Sequence, residues 1–225
     1  MTRLYVLLVA LVAVCLPLAA QAAENLVTVT GEATISVAPD AVVIRVGVTN
    51  QAKTAKAASD ANAKRMTAVI AAIEATGVPA RDVQTSRLSL QPQYEPNKGG
   101  TAHLLGFQVT NRITIKIHDV GRLPTVLDHA IAAGANEMSG IEFKVSDQSK
   151  LLDQARDDAI ADARRKAALY AKAAGAKLGR VVSITEEGVP SQPRPLAAMR
   201  AGAVPVAPGE LTLRARVLVS YKLEP

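Results

Sequence analysis

Residues 41–50 read AVVIRVGVTN, and this stretch decides the fold. Apolar side chains occupy every second position of it: Val42, Ile44, Val46 and Val48. Arg45 and Thr49 take positions between them. Alternation with a period of two is typical of a strand that buries one face. The stretch therefore predicts a strand of a sheet whose other face meets water or a partner.

The elements after this strand follow it in a regular order. A helix is predicted over 53–76, because apolar side chains recur there at helical spacing and Gly77 can end the helix. The next elements are predicted as strands over 83–94 and 104–118, a helix over 120–133 and a strand over 139–147. Pro124 conflicts with a helix start at residue 120, since proline damages a helix beyond its first turn. The β-α-β-β-α-β order over 41–147 predicts a ferredoxin-like core, in which two helices cover one face of an antiparallel sheet.

The residues on either side of this core predict a second, smaller lobe. A strand over 27–37 precedes the core, with Gly31 as a candidate β-bulge. A long helix over 149–174 and strands over 180–186 and 210–224 follow it. The fold class is therefore α+β, with one domain over 23–225 that combines the core over 41–147 with a lobe from 23–40 and 148–225. Residues 188–209 contain five prolines and are predicted to form a flexible loop.

The long third helix carries alanines at a spacing of four residues: Ala155, Ala159, Ala163, Ala167 and Ala171. A spacing of four drifts by about 40° per step, so this row is expected to wrap around the helix. The inward face is predicted to be a different set: Leu152, Ala155, Ala159, Ala163, Tyr170 and Ala174. Aspartates early in this helix and basic residues late in it suit the helix dipole and predict a solvated face rather than a metal site.

The first 22 residues are predicted to be a cleaved secretory signal peptide. Arg3 precedes an uncharged apolar run over 4–16, and residues 20–22 read AQA, a small-x-small cleavage pattern. A transmembrane anchor, which needs about 20 apolar residues, and a lipoprotein lipidated at Cys15 are the alternatives. Cleavage would remove the single cysteine and leave no transmembrane segment. The net charge of +6 would fall only by Arg3.

Two asparagines and six basic residues are the candidate site residues. Asn62 lies on the apolar stripe of the first helix and Asn111 in the apolar register of the fourth strand. Both are predicted as buried polar positions, which need hydrogen-bond partners. The basic residues take outward register positions on several strands and are predicted to form one basic sheet face: Arg45, Arg87, Arg112, Lys116, Arg214 and Arg216.

Local sequence motifs for catalysis, a cofactor or a metal are missing from the chain. His103, His118 and His129 have no ligand spacing to one another or to a carboxylate, and no G-x-S-x-G or phosphate-binding glycine loop occurs. The chain is therefore predicted not to be an enzyme, with no catalytic residues, no cofactor and no metal. Its dispersed charge and its lack of tryptophan argue against nucleic acid as a partner.

Short motifs in a fixed order run through the chain after the predicted signal peptide. They read VTVTGEA at 27–33, PDA at 39–41, NAKRM at 62–66, DVQT at 82–85, GF at 106–107, AGAN at 133–136, SGIEF at 139–143, ARRKA at 163–167 and PGE at 208–210. On these residues the chain resembles the SIMPL-domain family of secreted and periplasmic proteins, of the periplasmic immunogenic protein type. The resemblance implies an α+β fold, a periplasmic or envelope location, ring-like homo-oligomers and a role in envelope or oxidative-stress protection. It carries no catalytic residues over.

Three functions remain open at this level. The leading hypothesis is a non-enzymatic periplasmic protein, associated with the outer membrane, that self-assembles and supports envelope integrity or oxidative-stress defence. Its contact surfaces are predicted to be exposed strand edges and residues 188–209. The alternative is a binding module for an anionic envelope component, either a lipid or a glycan. A hydrolase with a dispersed site is a distant third.

Overall fold

The computed structural model describes residues 25–95, 103–188 and 208–225. The predicted signal peptide and most of the predicted loop at 188–209 lie outside these residues. Within the described ranges, seven strands form two antiparallel sheets, which confirms the α+β class. The strands are β1 Leu26–Val37, β2 Ala41–Ala52, β3 Val83–Tyr94, β4 Leu104–Ile117, β5 Glu137–Lys144, β6 Lys177–Glu186 and β7 Leu211–Glu224. The helices are α1 Ala55–Ala75, α2 Leu123–Ala132 and α3 Gln148–Ala173.

The four-stranded sheet has the order β3-β4-β2-β5. The alternation that marks β2 buries its apolar set completely, at Val42, Ile44, Val46 and Val48. These side chains form one core with β4 and with the apolar stripes of α1 and α2, so both helices lie on the same face. The opposite face of the sheet carries the polar side chains of every strand. The two-residue period therefore separates a helix-covered face from an open polar face.

Local signals set the ends of α1 and α2. Thr54 precedes α1 and accepts a hydrogen bond from the backbone N–H of Ala57, which satisfies one of the free donors of the first turn. The prediction of a helix from residue 120 is wrong in its first turn, because Val120–Arg122 forms a 3-10 helix and α2 begins at Leu123. Pro124 then falls within the first turn. A backbone N–H at that position would have no acceptor within the helix, so its absence in proline breaks no hydrogen bond.

The three-stranded sheet has the order β1-β7-β6, so the last strand lies at its centre. The register of β1 against β7 runs without a break from Leu26 to Val37, so the prediction of a β-bulge at Gly31 is wrong. Gly31 has a different role, because α3 passes directly over it. A Cβ atom at this position would lie 2.0 Å from the carbonyl oxygen of Ala159 and 2.7 Å from the Cβ of Ala163.

The row of alanines on α3 is the face that packs on this sheet. All five are buried: Ala155, Ala159, Ala163, Ala167 and Ala171. The prediction that Tyr170 and Ala174 complete the inward face is wrong, since Tyr170 is 57% exposed and Ala174 is exposed as well. Side chains spaced four residues apart form a row that is inclined to the helix axis. The strands of a twisted sheet also change direction along the helix, so such an inclined row can stay in contact with the sheet. A helical wheel drawn for a straight helix misses this match.

Two side chains of α3 close the outer edge of β1. The Asp162 carboxylate accepts a hydrogen bond from the backbone N–H of Glu32 at 3.2 Å. The Lys166 ammonium donates to the backbone carbonyl of Thr30 at 2.9 Å. These two backbone groups flank Gly31, so the close approach of the helix brings both side chains within reach. The clasp occupies polar groups that an edge strand otherwise offers to another strand.

Acid is expected to weaken this clasp. Hydrogen bonds from Lys166 and Arg165 lower the pKa of Asp162 from 3.8 to about 2. A carboxylate with a depressed pKa in the folded state stabilises the fold above its unfolded pKa, and this contribution disappears as the pH falls through the folded pKa. Because the Asp162 side chain is 20% exposed, we expect the loss to be about 1 kcal/mol.

Urea unfolding at neutral pH and near pH 2 measures this loss. The Asp162→Asn variant should lose less stability on acidification than the parent protein, by about 1 kcal/mol. Asp157→Asn, on the exposed part of the same helix, is the matched control and should behave like the parent. Equal losses in all three proteins would contradict the role of the clasp.

None of the helices in the described ranges combines the length and the apolar character that a membrane crossing requires.

Candidate functional site

Four of the six predicted basic residues lie together on the open face of the four-stranded sheet. Arg112 and Lys116 are on β4, Arg45 is on the neighbouring β2, and Arg87 is on the edge strand β3. Thr114 stands at the centre of this group. It lies opposite Arg45 and two residues from both Arg112 and Lys116, and Arg87 pairs with Arg112. We call these four residues the basic cluster.

Arg112 reaches across β2 to form an ion pair with Glu137 on β5. The path crosses Gly47, which lies opposite both residues in the register of the sheet. A Cβ atom at Gly47 would come within 3.2 Å of the Glu137 carboxylate, so the glycine leaves room for this pair. Glu137 also accepts a hydrogen bond from Thr49 at 3.3 Å. Arg112 is therefore held in place and its charge is largely compensated.

Two other acidic side chains near the cluster have partners of their own. Glu142 on β5 pairs with Lys144 at 3.2 Å. Asp82, immediately before β3, lies 3.1 Å from the ring of His118. Among the described residues, no carboxylate lies within 4.0 Å of the cationic atoms of Arg45, Arg87 or Lys116. These three cations thus form no ion pair with the part of the chain that the structure describes.

The remaining two predicted basic residues belong to the other sheet. Arg214 and Arg216 are on β7, opposite Thr34 and Glu32 of β1. Arg216 donates two hydrogen bonds to Glu32, which lower the pKa of that carboxyl, and it also approaches Glu187 at 3.6 Å. The six predicted residues thus do not share one face. The alternation of side chains along each strand predicted which residues face outward. It did not predict to which of the two sheets each strand belongs.

Asn62 is buried against the two central strands of the four-stranded sheet. Its side-chain amide is 1% exposed and donates to the carbonyl of Val48 at 2.7 Å and to that of Val109 at 3.2 Å. Asn111 is only partly buried, but its side-chain oxygen is enclosed and accepts no hydrogen bond from any described residue. Asn50 is buried, and its side-chain oxygen likewise accepts no hydrogen bond from any described residue. Sequence reasoning missed this residue, although it continues the apolar register of β2.

The histidines lie apart in the structure. His118 contacts Asp82, and His129 faces the backbone carbonyl of Thr125 at 2.8 Å on α2. Within the ranges that the structure describes, His, Cys, Asp and Glu side chains form no group of three that could hold a metal. A cleft of about 160 Å³ between β5 and the start of β7 has one carboxylate in its lining, Glu142, which already pairs with Lys144. The basic cluster is thus the arrangement with the clearest chemistry, the noncovalent binding of anions.

Comparison with known proteins places this fold in a family. The SIMPL model, described as a protein of unknown function (DUF541), matches residues 27–221. The 26 kDa periplasmic immunogenic protein of Brucella melitensis is 32% identical over 211 residues, which cover 88% of this chain and 84% of the relative. The uncharacterized protein YggE of Escherichia coli K12 is 29% identical over 220 residues, which cover 92% and 89%. The chain therefore belongs to the SIMPL family.

Proposed function

We propose that this chain is a non-enzymatic periplasmic protein that assembles with copies of itself and supports the integrity of the cell envelope, including its defence against oxidative stress. The observation that carries the assembly is an apolar stripe on the edge strand β3. Leu88 is 69% exposed, Leu90 49% and Tyr94 54%. Large apolar side chains on a free strand edge favour pairing with another chain.

The end of the β3–β4 hairpin extends this stripe. Leu104 and Leu105, at the start of β4, are each 49% exposed. Tyr94 pairs with Leu104 in the register of the two strands, so the exposed apolar side chains are neighbours. We call Leu88, Leu90, Tyr94, Leu104 and Leu105 the β3 apolar stripe. Burial of such a stripe against a second copy would be favourable at about 25 cal/mol per Å² of apolar surface.

The contrast with β1 supports the choice of β3. Both are edge strands of their sheets. The clasp of Asp162 and Lys166 occupies backbone groups of β1 on both sides of Gly31. Strand β3 instead combines a free edge with the β3 apolar stripe. Strand addition at β3 therefore breaks no strand pairing within residues 25–95, 103–188 and 208–225.

The proposed location and role rest on the relatives and on the predicted signal peptide. Two of the matched relatives are named periplasmic proteins. The predicted signal peptide over 1–22 favours the same compartment for this chain, and association with the outer membrane is part of the proposal. The single cysteine, Cys15, lies within that segment. A contribution to oxidative-stress defence would therefore be structural rather than a thiol reaction.

Light scattering on purified protein tests the assembly. The parent protein is expected to form particles several times heavier than one chain. The double variant Leu88→Lys/Leu90→Lys should shift them to monomers, because lysine on an edge strand opposes strand pairing. Ile131→Lys/Leu169→Lys adds the same charge at two exposed apolar positions on α2 and α3 and should leave the particles intact. A parent protein that stays monomeric at high concentration would contradict the proposal.

A second candidate function is the binding of an anionic envelope component. The observation that favours it is the basic cluster, in which Arg45, Arg87 and Lys116 have no nearby carboxylate among the described residues. The chain's net charge of +6 adds a general attraction to anionic surfaces. Self-assembly would place many copies of the cluster side by side and strengthen such binding by multivalency.

A further inference from the structure

We infer that the basic cluster is a docking site for the phosphate groups of anionic lipids, with Thr114 at its centre. This inference rests on the second candidate function and narrows it to one chemistry. The cluster lies on a sheet, so the register fixes its spacing. Directly opposite residues have Cβ atoms about 5 Å apart and diagonal neighbours are about 7–8 Å apart. The positions of Arg45, Arg112 and Lys116 are therefore grouped around Thr114 in the register. The Arg45 guanidinium lies against Gly140 on β5, where a Cβ atom would be 2.9 Å from it.

The charges of this surface favour a phosphate. A phosphate has several acceptor oxygens, and arginine binds it through two parallel hydrogen bonds. Arg45 and Arg87 are exposed, Lys116 is half-buried, and Thr114 lies opposite Arg45 in the register. Arg87 lies directly opposite Arg112, an arrangement of like charges that costs stability unless an anion is near. Glu137 compensates Arg112, whereas Arg87 has no carboxylate within 4.0 Å among the described residues.

The shape and chemistry of the face favour a lipid surface over a glycan. The outward positions of all four strands are polar or aliphatic, and none is aromatic. Glycan sites generally rely on aromatic platforms, whereas a row of cations on an open face suits headgroups presented in a plane. Polar side chains bridge the strands beside the cluster, as Thr49 does to Thr110 at 2.9 Å and Gln51 to Gln108 at 2.9 Å. The face is thereby held in shape before the ligand arrives.

Sedimentation with lipid vesicles tests the inference. Purified protein is expected to bind vesicles that contain phosphatidylglycerol and to leave pure phosphatidylcholine vesicles unbound. The triple variant Arg45→Gln/Arg87→Gln/Lys116→Gln should bind the anionic vesicles on the order of a hundredfold more weakly, because each cation near such a surface contributes about a fivefold factor. Arg112 is retained, so the pair with Glu137 stays intact.

A matched control separates the site from the net charge. The variant Lys177→Gln/Arg214→Gln/Lys222→Gln removes three positive charges from exposed positions of the three-stranded sheet. It should keep the parent's affinity within about threefold, because Arg214 lies eight residues from Lys222 on β7 and the three positions are not grouped around one residue. Equal weakening in both triple variants would overturn the site and leave only a net-charge effect. A urea midpoint equal to that of the parent confirms that each variant is folded.

Two further arms identify the source of the phosphate. Millimolar inorganic phosphate should not release the protein from the vesicles, and saturable binding of free phosphate without vesicle binding would overturn the lipid assignment. Binding to a soluble anionic glycan without vesicle binding would also overturn it, while the second candidate function would stand. Light scattering on the same triple variant should give the parent's particle size. The lipid site and the assembly can thus fail separately.

Discussion

The Gly31→Ala variant is expected to lose about 3 kcal/mol of unfolding free energy, and Gly31→Val still more. The first atom of any side chain at this position would lie 2.0 Å from the carbonyl oxygen of Ala159. That oxygen belongs to the backbone of α3 and cannot rotate away, so the helix must move off the sheet. Movement would expose the buried alanine row and break the clasp on either side of Gly31. Several contacts are therefore lost together.

Urea unfolding monitored by circular dichroism measures this effect. Backbone strain does not contribute, since Gly31 lies within a regular β pairing and its φ is not positive. The matched control is Thr30→Val, which replaces a hydroxyl by a methyl group on the opposite face of the same strand and should change stability by less than about 0.5 kcal/mol. A Gly31→Ala variant with the parent's midpoint would show that α3 does not approach β1 this closely.

The Asn62→Asp variant is expected to lose about 3 kcal/mol or more at neutral pH. The change keeps the size and shape of the side chain but replaces two N–H donors by a second oxygen. That oxygen would face the carbonyls of Val48 and Val109, which now accept hydrogen bonds at 2.7 and 3.2 Å. Burial and facing carbonyl dipoles both oppose a charged carboxylate, so its pKa in the folded state should rise.

The pH dependence of this variant has a defined sign. A carboxyl with a raised folded-state pKa destabilises the fold fully above that raised pKa. The penalty shrinks as the pH falls through the folded-state pKa and is almost gone at the unfolded value of about 3.9. Asn62→Leu is the control with similar volume and no charge, and its smaller loss should not change with pH. Urea midpoints at neutral pH and near pH 4 distinguish the two. An Asn62→Asp loss that does not shrink in acid would contradict burial of this amide between the strands.

The sequence predicted the elements well wherever the deciding interactions are local. The alternation in residues 41–50 identified β2 and its buried face, and the stripe that includes Asn62 identified the packed side of α1. The bounds of β3 match the prediction because Val83 and Tyr94 are flanked by local turn signals. These features depend on residues within one or two turns of the chain, and hydrophobic period and turn chemistry report such interactions directly.

The features that sequence reasoning missed depend on distant contacts. Gly31 is a glycine because Ala159 lies over it, and nothing near Gly31 in the sequence signals that neighbour. The division of the basic residues between two sheets follows from strand pairing, which the alternation of side chains does not specify. Glu137 compensates the charge of Arg112, because Gly47 leaves room for the two side chains to meet across β2. Positions that look equivalent in the sequence pattern become different once strands pair and helices pack on them.

Strand β7, the last strand along the chain, lies between β1 and β6, and this position affects the order in which the two sheets can form. Thr28 and Ser220 are hydrogen-bonded across β1 and β7 although 192 positions separate them in the chain. The four-stranded sheet needs only residues 41–144 and can close while the rest of the chain is still being made. Strands β1 and β6 both wait for β7, so the three-stranded sheet is completed last. Until then β1, β6 and the alanine row of α3 lack their shared partner, and in that interval the chain depends most on protection from aggregation and proteolysis.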